Sequence, residues 1–328
     1  MAVIHEVIHT TTYSYSKPVS FGEHRAIFLP RGSFGGRVFN YDIKTNVRAE
    51  IRWLSDSLSN NVAIIVPSET ASELTISCRF SGIHYGVQGS RRFELDPRAE
   101  NLPVQYSSDE WIDLVTFMRP HAEDPDGEIA AWARSFLKGG STQTLALLQN
   151  VMETIGSTFT YEMRNAEGTQ PPSQTLREKR GTCRDYAWLM IETLRRLGFA
   201  CRFISGYLYD AALDGGTVGA VGSGATHAWL AVFLPGAGWL TYDPTNQLNS
   251  GSDLIPVAIA RHPGQAMPLV GAWFGSASDY LGMKVDIKVH KLAEVPIDIP
   301  GEGHAGTAVL GESRAETTAN DGGRGAET

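Results

Sequence analysis

Apolar residues in the first hundred positions fall in short β-branched and aromatic runs, at residues 3–16, 37–46, 62–69 and 73–87. Clusters of Gly, Asn, Ser and Pro separate these runs, which is how strands and their turns are punctuated. Even spacing without a 3.6-residue period predicts an antiparallel β-sandwich over residues 1–104. Within it, residues 53–66 read as one strand entering and another leaving a turn built from Asp56, Ser57, Asn60 and Asn61.

From residue 105 the period changes. Apolar positions three and four apart predict helices over 110–118, 126–137 and 142–155, with Gly139 and Gly140 stopping one and Ser141 or Thr142 capping the next. From residue 158 a short strand and a surface loop follow, and Ser173 opens a helical turn that ends at Gly181. Ala187, Met190, Ile191, Leu194 and Leu197 then form a helical stripe over 186–197, closed by Gly198, with Cys183 just before it. Three strands follow at 201–209, 228–234 and 239–242. The Gly-rich loop 210–226 joins the first two, and the tight Pro235-Gly236-Ala237-Gly238 connection joins the last two.

Residues 251–300 form an extension whose one predicted strand is 284–290, and residues 301–328, poor in bulky apolar side chains, predict a disordered tail. The fold class is therefore α+β: an N-terminal antiparallel β-sandwich, then a core over 105–250 in which a helical layer precedes an antiparallel sheet.

Composition narrows the function classes. Of 328 residues, 42% are apolar and 20% charged, ordinary for a chain that buries a core. A net charge of -8 and the lack of a Lys/Arg run argue against nucleic acid as a partner. The first residues carry no basic lead and unbroken apolar stretch, and nothing later approaches the roughly 20 apolar residues of a membrane span, so the expected setting is the cytoplasm, away from membranes. Three cysteines, Cys78, Cys183 and Cys201, cannot all pair, and free thiols are the expectation. The nine histidines are scattered, and no zinc spacing or phosphate-cradling Gly loop is present, so no metal or cofactor is expected.

Three ionisable residues stand at the ends of predicted elements: Cys183 at a helix start, His227 at a strand start and Asp243 at a strand end. A helix N-terminus lowers a thiol's pKa and presents unpaired N–H groups to a developing oxyanion. A histidine opening an apolar strand can act as general base, and an aspartate across a hairpin can fix its tautomer. Together the three make a catalytic triad. Gly181 would let substrate approach closely. Arg184 and Asp185 are cleft-lining candidates, although Asp185 is equally explained by the helix dipole. Trp229 and Tyr207 read as core aromatics, and Cys201 as an inert buried residue.

Residues 173–246, with Gly181-Thr182-Cys183-Arg184-Asp185, His227-Ala228-Trp229 and Gly238-Trp239 leading to Asp243-Pro244-Thr245, resemble the transglutaminase-like superfamily, in particular its bacterial cysteine-protease branch with a β-rich N-terminal domain. The Trp53–Asn61 stretch is similar to that domain. The resemblance implies a papain-like core, with the nucleophile at Cys183, the histidine at His227 and the acid at Asp243. It implies acyl transfer from an amide through a thioester, hydrolysing a peptide or isopeptide-like bond of a peptide or protein substrate. An amine-accepting transglutaminase or N-acyltransferase, or a non-catalytic binding module on the same fold, are the alternatives. The chain departs from the family after the Asp strand: relatives tend to continue with a Gly-Arg-Asp-Tyr type segment, whereas this chain reads on from Ala258 with Arg261 as the nearest counterpart.

Overall fold

In period-2 strands one face turns inward, and the first strand shows this plainly: His5, Val7, His9 and Thr11 are buried while their neighbours are not. The computed structural model describes residues 3–32, 36–84, 94–162, 168–210, 225–248 and 253–292, all within one compact unit. The strands β1 (Val3–Ala26), β2 (Gly36–Thr45), β3 (Ala49–Ser55), β4 (Asn61–Pro67) and β5 (Ala71–His84) come first. They are followed by α1 (Pro97–Glu100), α2 (Ser108–Met118), α3 (Glu128–Ser135) and α4 (Thr144–Thr158). Then come β6 (Thr160–Tyr161), α5 (Pro172–Glu178), β7 (Arg180–Gly181) and α6 (Cys183–Arg195). The chain continues through β8 (Ala200–Leu208), β9 (His227–Leu234), β10 (Gly238–Tyr242), β11 (Leu254–Ala260), β12 (Leu269–Phe274) and β13 (Tyr280–Leu292).

The N-terminal layer is antiparallel and organised around β1, in the order β2-β5-β1-β4-β3, with β12 and β13 also paired to β1. The first part of β1 lies between β5 and β13, and its last residues lie between β4 and β12. Register shifts after Ser14 separate the two stretches, next to Lys17-Pro18, where the missing proline N–H cannot serve a ladder. The catalytic-type core is the sheet β10-β9-β8-β11, against which α6 packs through β8 and β9.

Helix α6 is buried nearly all round, beyond what its apolar stripe predicts. Its charged residues are buried as a satisfied cluster: Glu192 accepts from the backbone N–H of His121 (3.1 Å) and Ala122 (3.0 Å) and pairs with Arg195 (3.1 Å) and Arg196 (2.7 Å). Arg195 also donates to the carbonyls of Phe117, Cys201 and Arg261. These bonds fix the end of the helix opposite the thiol.

The sequence reading and the fold differ at three places. Helix α6 begins at Cys183 and not at Tyr186, because Arg184 and Asp185 are polar and escape an apolar period. Helix α4 takes Gln143 as N-cap residue, while the Thr142 hydroxyl accepts instead from the Lys138 N–H at 3.0 Å; likewise α5 opens at Pro172, suited to a first helical turn, ahead of Ser173. Residues 253–279 contain two strands, β11 and β12, before the expected one. Pro256 hides β11 from sequence rules, and it sits at a register shift between β11 and β8, where a ladder tolerates proline. The expected tail at 301–328 and most of the Gly-rich loop 210–226 lie outside the described residues.

The predicted turn at 56–61 has a larger role than closing a hairpin. Asp56 accepts from the N–H of Leu58 and Asn60, both at 2.9 Å, and from the Asn60 amide at 3.0 Å. The buried Asn60 side chain then donates to the Ile259 carbonyl and accepts from the Ile259 N–H, each at 2.8 Å, which ties the N-terminal layer to β11 of the core. Asn60→Ala leaves two buried backbone groups of Ile259 unpaired, so the stability measured by urea denaturation falls by about 2–4 kcal/mol. An unchanged midpoint would show that water replaces the amide at no cost.

Candidate active site

The sulfur-bearing residue is set by the start of α6. Thr182 is extended (φ -92, ψ 176) and serves as N-cap, so Cys183 is the first helical residue, where backbone N–H groups lack intrahelical acceptors. Asp185 secures this geometry. Its Oδ2 accepts from the Thr182 N–H (2.8 Å) and hydroxyl (2.9 Å), and its Oδ1 accepts from the Gln170 N–H (2.6 Å). Asp185 is thus a buried tie between the helix start and the preceding loop, and it does not line a cleft. Gly181 is explained by the same carboxylate: a Cβ there would come within 2.8 Å of the Asp185 Cβ, so the space above it belongs to Asp185 and not to substrate.

His227 opens β9 and Asp243 follows β10. The register places Tyr242 opposite Leu230, which carries Asp243 level with the first residues of β9. His227 Nε2 and Asp243 Oδ2 are 2.8 Å apart, and both side chains are fully buried. The carboxylate is itself held: Oδ1 accepts from the Thr245 N–H (2.9 Å), Oδ2 from the Asn246 amide (3.1 Å), and the Asp243 backbone exchanges bonds with Leu248. With Nε2 on the carboxylate, Nδ1 is the nitrogen left for chemistry, and it has no partner at ordinary hydrogen-bond geometry.

The electrostatics bring Cys183 to this ring. Burial alone would lower the His227 pKa, but the Asp243 charge and hydrogen bond, joined by the Cys183 sulfur, outweigh it and raise the ring to about 10. Burial likewise opposes the Asp243 charge, yet the His227 ring and the two donors, the Asn246 amide and the Thr245 N–H, hold the carboxyl below its usual range. The three residues singled out by sequence therefore meet at one place. Cys183 keeps 5% of its surface exposed. By contrast, burial pushes the thiols of Cys78 and Cys201 far up, as expected of inert core residues.

Tyr161 is a site residue that sequence reasoning missed. It lies on β6, which pairs with β7 so that Tyr161 stands beside Gly181. Burial and then the Cys183 sulfur, through charge and a hydrogen bond, raise its phenol well above the ordinary value, so it stays protonated beside the nucleophile. Only a pairing across twenty residues puts it there, and no local pattern reveals that. Trp229 stacks on His227 (centroids 5.8 Å, 27°), and Tyr207 donates to or accepts from His9 Nδ1 at 2.9 Å; both are core aromatics.

Arg184, next to the thiol in sequence, is partly buried and lines a cavity. Its Nη2 donates to the Pro263 carbonyl at 2.9 Å and lies 3.5 Å from the Met267 sulfur. The segment after Arg261, where the chain departs from the family pattern, therefore shapes the surroundings of the site.

Residues 130–244 match the transglutaminase-like superfamily, and residues 5–81 match the bacterial transglutaminase-like N-terminal region. An uncharacterized protein of Mycobacterium tuberculosis is 27% identical over 297 residues, covering 86% of this chain and 92% of that one. Another, of Mycobacterium leprae, is 35% identical over 114 residues, which span 34% of this chain and only 39% of that relative. Among solved structures, a protein from Cytophaga hutchinsonii described as "a Putative Cysteine Protease" shares the fold with a TM-score of 0.67 at 17% identity, covering 91% of this chain and 94% of that one. Residues 130–244 thus form a core of the transglutaminase-like superfamily, a family of cysteine-dependent acyl transfer, and the N-terminal region of its bacterial members precedes that core.

Proposed function

We propose that this protein cleaves an amide by acyl transfer to Cys183, with hydrolysis of a peptide or isopeptide-like bond as the reaction. The observation that carries the reading is the buried His227–Asp243 pair at 2.8 Å with the Cys183 sulfur acting on the same ring. An imidazolium held beside the sulfur favours the thiolate, which is the attacking species. The thiolate adds to the amide carbonyl carbon, and the oxyanion is received by N–H groups at the start of α6 and by the protonated Tyr161 hydroxyl. His227 gives its proton to the leaving amine, the C–N bond breaks, and a thioester remains.

In the thioester the sulfur no longer carries negative charge, so its contribution to the raised His227 pKa disappears. The ring is then released to take a proton from water, whose oxygen attacks the thioester and frees the thiol. Water is taken as the acceptor from the Cytophaga protein's description as "a Putative Cysteine Protease", since the shared fold by itself serves water and amine acceptors alike.

The reading is tested by the pH dependence of alkylation by iodoacetamide, resolved by mass spectrometry among Cys78, Cys183 and Cys201. Cys183 should react selectively among the three thiols, and His227→Ala should slow that reaction at neutral pH. Equal behaviour of Cys183 in the two proteins would mean that the ring does not activate the sulfur.

A further inference from the structure

A cavity of about 200 Å³ opens between the β1–β13 pair and the start of α6, lined among others by Arg184, Thr226, His9, Thr11, Met267 and Val285. Two of these flank the nucleophile and the imidazole in sequence: Arg184 follows Cys183, and Thr226 precedes His227. Among the described residues Arg184 is the cavity's only charged lining group. His9 on the opposite wall is neutral, since burial lowers it to about 4 while its nitrogens meet the Tyr207 and Thr11 hydroxyls at 2.9 and 3.1 Å. Among the described residues the remaining lining is hydroxyl, thioether and aliphatic, with no carboxylate.

The guanidinium is held in place without a carboxylate in direct contact among the described residues, the Asp185 charge acting on it from a distance. It has one good hydrogen bond, to the Pro263 carbonyl, longer contacts to Met267 Sδ and to Thr169 Oγ1 at 3.4 Å, and the Phe203 ring beneath it at 5.1 Å. Among the described residues it forms no ion pair. A planar cation in a mainly apolar cavity selects a carboxylate, which it can hold by two parallel N–H···O bonds. The thioether and aliphatic wall suits the carbon chain that bears it.

We infer that this cavity is a substrate subsite in which Arg184 binds a carboxylate close to the scissile amide, so that the acyl-transfer reaction proposed above acts on acidic substrates. The inference rests on that reaction, and the test separates the two. Iodoacetate and iodoacetamide deliver the same alkyl transfer, in which the thiolate displaces iodide, but only iodoacetate carries a carboxylate. The iodoacetate/iodoacetamide rate ratio at Cys183 should exceed that of a free thiol and fall about tenfold in Arg184→Gln, the scale of one charge-assisted hydrogen bond. Arg184→Lys, which keeps the charge without the fork, should retain part of the preference and serves where the glutamine variant folds poorly. Protection of Cys183 from iodoacetamide then identifies the source of the carboxylate: N-acetylalanylalanine for a free C-terminus, N-acetylglutamyl amide for an acidic side chain. Fast reaction with iodoacetamide, a ratio equal in wild type and Arg184→Gln, and protection by neither ligand would overturn the subsite alone. Slow reaction with both reagents would overturn the nucleophile and the subsite together.

Discussion

Cys183→Ala abolishes turnover, lowering cleavage of a fluorogenic acidic peptide-amide library by at least about 10⁴-fold, because no other group in the site can form the covalent intermediate. The buried Cys78 and Cys201 cannot substitute, since both are fully buried and lie outside the site. The wild type, quenched in acid during turnover, should carry the acyl group on the peptide containing Cys183, detected as a mass increase that hydroxylamine removes. Full turnover in the alanine variant would exclude the thiol from the chemistry and leave the fold with a different role.

Asp243→Asn should lower the same activity by about 10³–10⁴-fold while leaving the fold intact. The asparagine oxygen can still accept from the Thr245 N–H, which places the new amide group where Oδ2 met His227 Nε2 and the Asn246 amide. Facing a donor, the ring must turn its lone pair to that side and carry its proton on Nδ1, so the nitrogen next to Cys183 can no longer accept the thiol proton. The pH dependence follows with a definite sign. Folding raises the wild-type imidazole from 6.5 to about 10. Its stabilising contribution is therefore complete below about pH 6.5 and is lost as pH rises towards 10. In the variant burial dominates, the ring stays neutral at pH 7, and this alkaline decline in stability should be absent. Retained activity, or the same decline in both proteins, would show that the carboxylate does not set the state of the ring.

The candidate site was legible because Cys183, His227 and Asp243 each stand where a periodic segment starts or stops, and such ends survive in a linear reading: an apolar stripe after Cys183, a Gly-rich lead before His227, a hairpin before Asp243. The N-terminal strands were legible for a similar reason, as local alternation. What could not be read depends on partners distant in sequence. Tyr161 reaches the sulfur only through β6 and β7, and β11 is a strand only because β8 accepts its proline at a register shift. Asp185 and Arg184 are adjacent, yet one is buried under Gly181 and the other faces a cavity, a difference that the roughly 100° step between neighbours on a helix creates and no composition reveals.

The position of β1 has a consequence for synthesis. Among the described strands β1 is made first, and β4 and β5 follow within eighty-odd residues, but β12 and β13 are made only after the whole α6-bearing core. At about 5–20 residues per second, one edge of β1 waits on the order of tens of seconds for its partner. During that interval the nascent chain displays an unpaired strand edge with alternating apolar residues, the kind of surface that chaperones recognise and that neighbouring polysomal chains can pair with. Completion of β13 is thus the step at which the newborn protein stops being a hazard to its neighbours.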